Sequence, residues 1–94
     1  MSFNNLTDIL KNKGFINTFQ VLSKFKNFKS EKHKFYEELR KFSYYNSFYR
    51  VKDRLLEKGL ITIKKFRGKK YISLTKKGKT LYEKLIELNI ILSE

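Results

Sequence analysis

The sequence predicts one small α+β domain, mostly helical. Two short helices across a turn lead into a two-stranded β-hairpin and then a long C-terminal helix. Three observations predict it. Phe48, Val51 and Leu55 recur three and four residues apart, which puts them on one face of a helix. Two runs of β-formers, Leu60-Ile61-Thr62-Ile63 and Tyr71-Ile72-Ser73-Leu74, flank the turn signal Arg67-Gly68-Lys69. Leu81, Leu85, Leu88 and Leu92 follow the i, i+4, i+7, i+11 spacing of a packed helical seam.

Taken in order, Ser2 to Asn12 carries Phe3, Leu6, Ile9 and Leu10, an amphipathic helix with Asn5 or Thr7 as cap, ending near Gly14. Phe15, Phe19, Leu22 and Phe25 or Lys26 then give a core helix over Phe15 to Phe28, with Asn17 or Thr18 as its cap. Lys29 to His33 is a polar joint. Ser30 is placed to cap the next helix, with Glu31 in the first turn, where a negative charge is favourable. Lys34 to Phe42 puts Phe35, Leu39 and Phe42 on one stripe. Ser43-Tyr44-Tyr45-Asn46 breaks the pattern for about four residues, the length of a helix-turn-helix joint. The following helix starts at a cap supplied by Asn46 or Ser47 and stops at Gly59, because glycine takes the left-handed conformation without steric cost. Thr75 caps the last helix. The expected boundaries are about 33–58 for the helix pair, 61–74 for the hairpin and 76–92 for the last helix, within a single domain of residues 1–94.

Charge bounds the function. Twenty-two Lys and Arg against nine Asp and Glu leave a net +13, with a pI near 10.0. Clustered cations gain affinity for a polyanion by releasing condensed counterions from phosphate. A lysine-rich composition accounts for part of this excess, but not for its clustering. Between Glu57 and Glu83 there is no acid, while Lys58, Lys64, Lys65, Arg67, Lys69, Lys70, Lys76, Lys77 and Lys79 fall in that window. The aromatic content of 16% argues against disorder. Cysteine is absent, which removes disulfides, thiolate metal sites and a cysteine nucleophile. His33 is the single histidine and has no metal-ligand pattern around it; a surface or cap position suits it better. No Ser-His-Asp set, glycine-rich phosphate loop or paired carboxylates suggest an enzyme, and no cofactor or metal is expected. No apolar run approaches the roughly 18 residues of a membrane span. The expectation is therefore an intracellular, cytoplasmic protein, nucleoid-associated when bound.

Three stretches resemble winged helix-turn-helix regulators of the HxlR and MarR groups, of archaeal, viral or plasmid type. Phe35-Tyr36-Glu37-Glu38-Leu39 is similar to the element that opens their helix-turn-helix. Leu55-Leu56-Glu57-Lys58-Gly59-Leu60-Ile61 resembles the Gly-Leu-Ile end of their recognition helix. Tyr71-Ile72-Ser73-Leu74-Thr75-Lys76-Lys77-Gly78-Lys79 resembles their passage from wing to last helix. The resemblance covers most of the chain beyond Phe15. It departs at bulky Tyr44 and Tyr45, where many relatives carry small residues. It implies a dimeric, double-stranded DNA-binding transcription regulator with the helix of Asn46 to Lys58 in the major groove.

The candidate DNA contacts are Tyr45, Asn46, Ser47, Tyr49, Arg50, Asp53 and Arg54 on and before that helix, and Lys64, Lys65, Arg67, Lys69 and Lys70 on the hairpin. Arg50 and Arg54 stand out because guanidinium reads guanine O6 and N7 bidentately, which an ammonium cannot do in the same geometry. Arg67 suits a narrow minor groove, where negative potential is concentrated. The bland alternative is a solvated helix face and a surface turn. Tyr82, Ile86 and Ile90 form a second apolar stripe beside the leucine seam. One helix in so small a domain rarely buries two stripes in its own core. Phe3, Leu6, Leu10, Tyr82, Leu85, Ile86, Leu88, Ile90 and Leu92 are therefore candidates for a homodimer interface. The alternative is a broad face covered by the N-terminal helix of the same chain. Two other functions compete: an architectural nucleic-acid-binding protein that does not read sequence, and a winged-helix protein-interaction module. The sequence identifies no small-molecule effector.

Overall fold

Helix α1, Asn4–Lys11, and helix α2, Lys13–Ser23, meet at Asn12, whose extended backbone (φ −107°, ψ 97°) turns the chain. The computed structural model describes residues 3–41 and 46–94. A short turn at Lys26–Phe28 leads into strand β1, Lys29–Glu31, and helix α3, Lys32–Arg40. Helix α4, Asn46–Glu57, precedes strands β2, Ile61–Phe66, and β3, Lys69–Leu74; helix α5, Lys76–Ser93, closes the fold. The class is α+β and mostly helical, a winged helix-turn-helix with a hairpin wing and a long C-terminal helix.

The core forms where the apolar faces of four helices meet the sheet. Phe15, Phe19, Leu22, Phe35, Leu39, Phe48, Leu55 and Ile72 are fully buried, with Val51, Leu60, Ile61 and Leu74 nearly so. Aromatic edges contribute specific contacts: the Phe35 and Phe48 rings sit 4.9 Å apart at 65°, the edge-to-face geometry favoured by the ring quadrupole.

Several local expectations are corrected; the second helix, for one, ends at Ser23 rather than reaching Phe28. The first helix stops at Asn12 rather than near Gly14; Gly14 lies inside α2, buried against α4. A Cβ there would stand 2.1 Å from the Ser47 carbonyl oxygen and 2.9 Å from Val51 Cγ2. Glycine thus serves the close crossing of two helices, not a stop. Asn17 and Thr18 do not cap α2; both lie within it, and the Thr18 hydroxyl donates back to the Gly14 carbonyl at 2.6 Å. Ser30 does not cap α3. It is buried in β1, and the residue preceding the helix is Glu31.

That last correction changes the sheet. It has three strands in the order β1-β3-β2, antiparallel throughout, rather than the hairpin alone. β1 pairs Lys29 with Ser73, Ser30 with Ile72 and Glu31 with Tyr71, which fixes the start of α3 against the wing.

The joint between α4 and the wing follows the sequence closely. The Leu60 amide donates to the Leu55 carbonyl at 3.0 Å and the Gly59 amide to Leu56 at 3.0 Å, the paired bonds of a Schellman cap. Gly59 takes φ 69° there, as its place requires. The hairpin turns on Arg67 and Gly68, both at positive φ (51° and 79°), the left-handed pair that matches the twist of two-residue hairpins. Thr75 caps α5 by accepting from the Gly78 amide at 3.0 Å, and its hydroxyl lies 2.6 Å from the Gly59 carbonyl. The start of α5 is thereby tied to the end of α4.

Replacing Gly14 with Ala forces α2 away from α4. We expect a loss of about 3 kcal/mol, toward the upper end for overpacking, read as a lower urea midpoint. An unchanged midpoint would contradict the crossing described.

Candidate nucleic-acid interface

With Phe48, Val51 and Leu55 buried, α4 turns Asn46, Tyr49, Arg50, Asp53, Leu56 and Glu57 to solvent. Ser47, Lys52 and Arg54 are half-buried at the margins. At 100° per residue these positions form one outward face. Among the described residues Arg50 takes part in no ion pair. Tyr45 lies outside the described residues, as do Tyr44 and Phe42.

Arg54 is turned elsewhere. Its guanidinium donates to the Asp8 carboxylate of α1 and lies 5.5 Å from the centre of the Phe15 ring. Asn12 donates to the same carboxylate oxygen at 2.9 Å and to the Asp8 carbonyl at 2.8 Å. One turn on, Lys58 Nζ lies 3.1 Å from Asn5 Oδ1. These contacts clip α1 to the C-terminal half of α4, and they engage one of the two arginines singled out for base contact.

The wing has two unlike faces. Cross-strand partners share a side, and sides alternate along a strand. Ile61 with Leu74 and Ile63 with Ile72 face the core, so Lys65 with Lys70, two residues further out, continue that face beyond it. Lys64 opposite Tyr71 and Phe66 opposite Lys69 lie on the other face. There Lys69 Nζ approaches Glu31 of β1 at 3.4 Å. Arg67 at the tip holds its guanidinium 5.2 Å from the centre of the exposed Phe66 ring. Phe66 on the wing and Leu56 on α4 are exposed apolar residues that sequence reasoning did not single out. Strand alternation for Phe66, and the i+7 step from Tyr49 for Leu56, would have found them.

Acids elsewhere are used within the fold. The Glu38 carboxyl is held below the usual carboxylate range, first by a hydrogen bond from Lys41 and then by the charges of Lys41 and Lys24. That same bond to Glu38 raises the Lys41 ammonium. Glu31 meets both Lys69 and His33, the latter at 3.3 Å.

Between α3 and α4 the Tyr36 and Tyr49 rings stack, 5.8 Å apart at 27°. The Tyr36 hydroxyl is buried. Burial first, then its polar interaction with the Tyr49 hydroxyl, push it above the ordinary phenol range. Tyr49 is shifted the opposite way, first by that interaction with Tyr36 and further by Lys32, Lys52 and Lys70. Lys32 and Lys52 are absent from the sequence-derived set. Lys52 was within reach of pattern reasoning, three residues from Tyr49, whereas Lys32 comes near only through the fold.

The dimer candidates divide. Leu81, Tyr82 and Leu85 pack against the core, with Tyr82 6.1 Å from Phe19, and Leu6 is half-buried. From Ile86 onward every residue of α5 is exposed. Leu88, Ile90 and Leu92 are among them, as is Ile91, which the sequence reading omitted, and Phe3 and Leu10 are exposed on α1. An apolar groove of about 450 Å³ runs along this side between α5 and Leu10, Ile16 and Gln20.

Among the described residues no cluster of three or more His, Asp and Glu is placed to hold a metal. Among them, too, no helix is long and apolar enough to cross a membrane.

No protein-family model matches the chain, and neither does any curated protein. Among solved structures, the chain is similar to the crystal structure of Sso10a-2, a DNA-binding protein from Sulfolobus solfataricus. The TM-score is 0.60 at 22% sequence identity, over 84% of this chain and 83% of that one. At that identity the likeness concerns the fold.

The α1–α4 clip generates a prediction. Arg54→Ala and Asp8→Asn should each lower stability, and the double variant should be less destabilised than the sum. The coupling should be about 0.5–1 kcal/mol, since both groups are partly exposed. Additive effects in a double-mutant cycle by thermal unfolding would show that the pair contributes nothing.

Proposed function

We propose that the chain is a dimeric, sequence-specific double-stranded DNA-binding protein that regulates transcription. In this reading α4 enters the major groove and the basic wing follows the minor groove or the backbone. The observation that carries it is the outward face of α4. Exposed Arg50, in no ion pair among the described residues, lies there with Asn46, Ser47, Tyr49 and Asp53, beside a wing whose Lys64, Lys65, Arg67, Lys69 and Lys70 are all exposed. A helix of this width fits the major groove, and the neighbouring cations suit the phosphates beside it. The shared fold with the DNA-binding protein Sso10a-2 supports the same partner. Such a protein works inside the cell.

One observation favours a second reading, an architectural protein that binds duplex without reading sequence. Arg54 is engaged by Asp8, which leaves Arg50 as the one arginine on α4 available for bidentate base contact. The two readings separate on salt and sequence. Duplexes selected from a random pool, measured by fluorescence anisotropy at two salt concentrations, should yield a two-fold symmetric motif with half-sites about one helical turn apart. Arg50→Ala should lose about 1–3 kcal/mol on that motif and retain weak, salt-sensitive binding. The absence of a motif, with Arg50→Ala binding like the parent, would favour the architectural reading. Absence of duplex binding at physiological salt would leave protein interaction as the function.

The dimer is proposed through the exposed end of α5 with the adjoining part of α1. The support is the continuity of apolar Ile86, Leu88, Ile90, Ile91 and Leu92 with Leu10 along one groove. Sedimentation equilibrium should give a dimer for the parent chain and a folded monomer for Ile91→Glu. A monomeric parent at tens of micromolar would remove this part of the proposal.

A further inference from the structure

The sheet has a face that the core does not use. Sides alternate along a strand, and cross-strand partners share a side. Ser30, Ile61, Ile72 and Leu74 are buried on the inner side. The registers therefore put Lys29 and Glu31 of β1, Lys64 and Phe66 of β2, and Lys69 and Tyr71 of β3 on the outer side. None of them is buried. Two contacts between β1 and β3 agree with this placement: Lys29 Nζ lies 5.2 Å from the centre of the Tyr71 ring, and Lys69 Nζ lies 3.4 Å from Glu31 Oε1. This is a different surface from the outward face of α4, which is set by the burial of Phe48, Val51 and Leu55.

Phe66 stands opposite Lys69, and Tyr71 opposite Lys64, so the two rings are diagonal neighbours on the β2–β3 ladder. Such positions are roughly 7–8 Å apart, within reach of aromatic side chains. The Phe66 side chain is among the most exposed of the large apolar ones, at 61%. Beyond Tyr71 the surface runs into a concavity of about 370 Å³, lined in part by Lys26, Lys29 and Lys34. Glu31 is the acid of this face, and its carboxylate is already met by Lys69 and by His33. Lys26, Lys29, Lys34 and Lys64 enter no ion pair among the described residues.

Aromatic rings set among ammonium groups match a strand whose bases are unpaired. Each base offers a flat π-face and each phosphate a negative charge. In a duplex the base faces are covered by their neighbours in the stack, so rings on a sheet surface can take only unpaired bases. Neither ring nor ammonium requires a 2′-hydroxyl. One pressed against exposed Phe66 would lose its water without gaining a partner, which favours the deoxy strand.

We propose that the outer face of the sheet binds single-stranded DNA. Phe66 and Tyr71 stack on bases, Lys29, Lys64 and Lys69 meet the phosphates between them, and the concavity at Lys26 and Lys34 receives a phosphate beyond Tyr71. This second activity goes beyond the duplex reading and does not depend on it.

The chain has no tryptophan, so Phe66→Trp introduces one indole that reports on this position. Titration of that full-length variant with a single-stranded oligodeoxythymidylate of roughly ten nucleotides should quench the indole. Phe66→Leu keeps an apolar side chain and removes the flat face. By anisotropy of the labelled oligonucleotide it should bind roughly tenfold more weakly than the parent, as should Tyr71→Leu. Phe66→Leu should keep the parent's melting temperature and its affinity for duplex. Lys26→Gln/Lys34→Gln should lower the salt slope for the single strand by roughly 0.7, the value of one phosphate. Parental binding by Phe66→Leu, or an unquenched indole at saturating oligonucleotide, overturns the platform. So does an equal loss on duplex and single strand, which would make Phe66 a duplex contact. Tighter binding of an oligouridylate of the same length overturns the assignment to DNA. If the parent binds duplex but not the single strand, the platform fails and the duplex reading stands. Binding of the single strand alone, lost in Phe66→Leu, keeps the platform and removes the duplex reading.

Discussion

The close crossing of α2 over α4 is the constraint on which the rest of the molecule depends. Its tightness comes from one missing side chain, at Gly14, opposite the Ser47 carbonyl and Val51. With the helices that near, Phe15 and Phe19 reach the same core as Phe48 and Leu55, and the outward direction of α4 follows by exclusion. The orientation of the exposed face is thus a by-product of core packing. Charge selects nothing in it; cations occupy what the apolar residues leave.

From that crossing two ties carry position outward. The Schellman cap at Gly59 and the Thr75 hydroxyl lock the end of α4 to both the wing and α5. Strand β1 then locks the start of α3 to the far side of the wing. Helix pair and wing are thereby joined into one body, and Lys32 and Lys70, far apart in sequence, both act on the Tyr49 hydroxyl. The Asp8 clip adds α1 to the same body, and α1 also carries Leu10 into the apolar groove beside α5.

What could be read in the sequence was local. The Thr75 cap, the Gly59 stop, the Arg67-Gly68 turn and the Phe48-Val51-Leu55 stripe each depend on residues within a few positions of one another, and backbone preference decides them. The exposed face of α4 followed from the same periodicity. What could not be read was non-local. β1 is Lys-Ser-Glu, polar residues that become a strand only because β3 offers an edge. Gly14 looked like a stop because sequence reveals a glycine's freedom but not its neighbour. Arg54 looked like a base contact because its acid, Asp8, stands on another helix 46 residues away. The stacking of Tyr36 on Tyr49 was hidden for the same reason: the two share no periodic pattern.

Strand β2 hydrogen-bonds to β3 on one side and forms the rim of the sheet on the other. A rim strand that begins Ile-Thr-Ile and ends in an exposed phenylalanine has the composition of a segment that recruits further strands from other molecules. Lys64 and Lys65 interrupt that run at its exposed end. Lysines on an edge strand are one of the features that disfavour edge-to-edge pairing between molecules. The wing lysines thus have a physical consequence in the free chain as well as in any complex. Replacing them with neutral residues would leave β2 a longer apolar edge, the kind of segment that pairs between molecules.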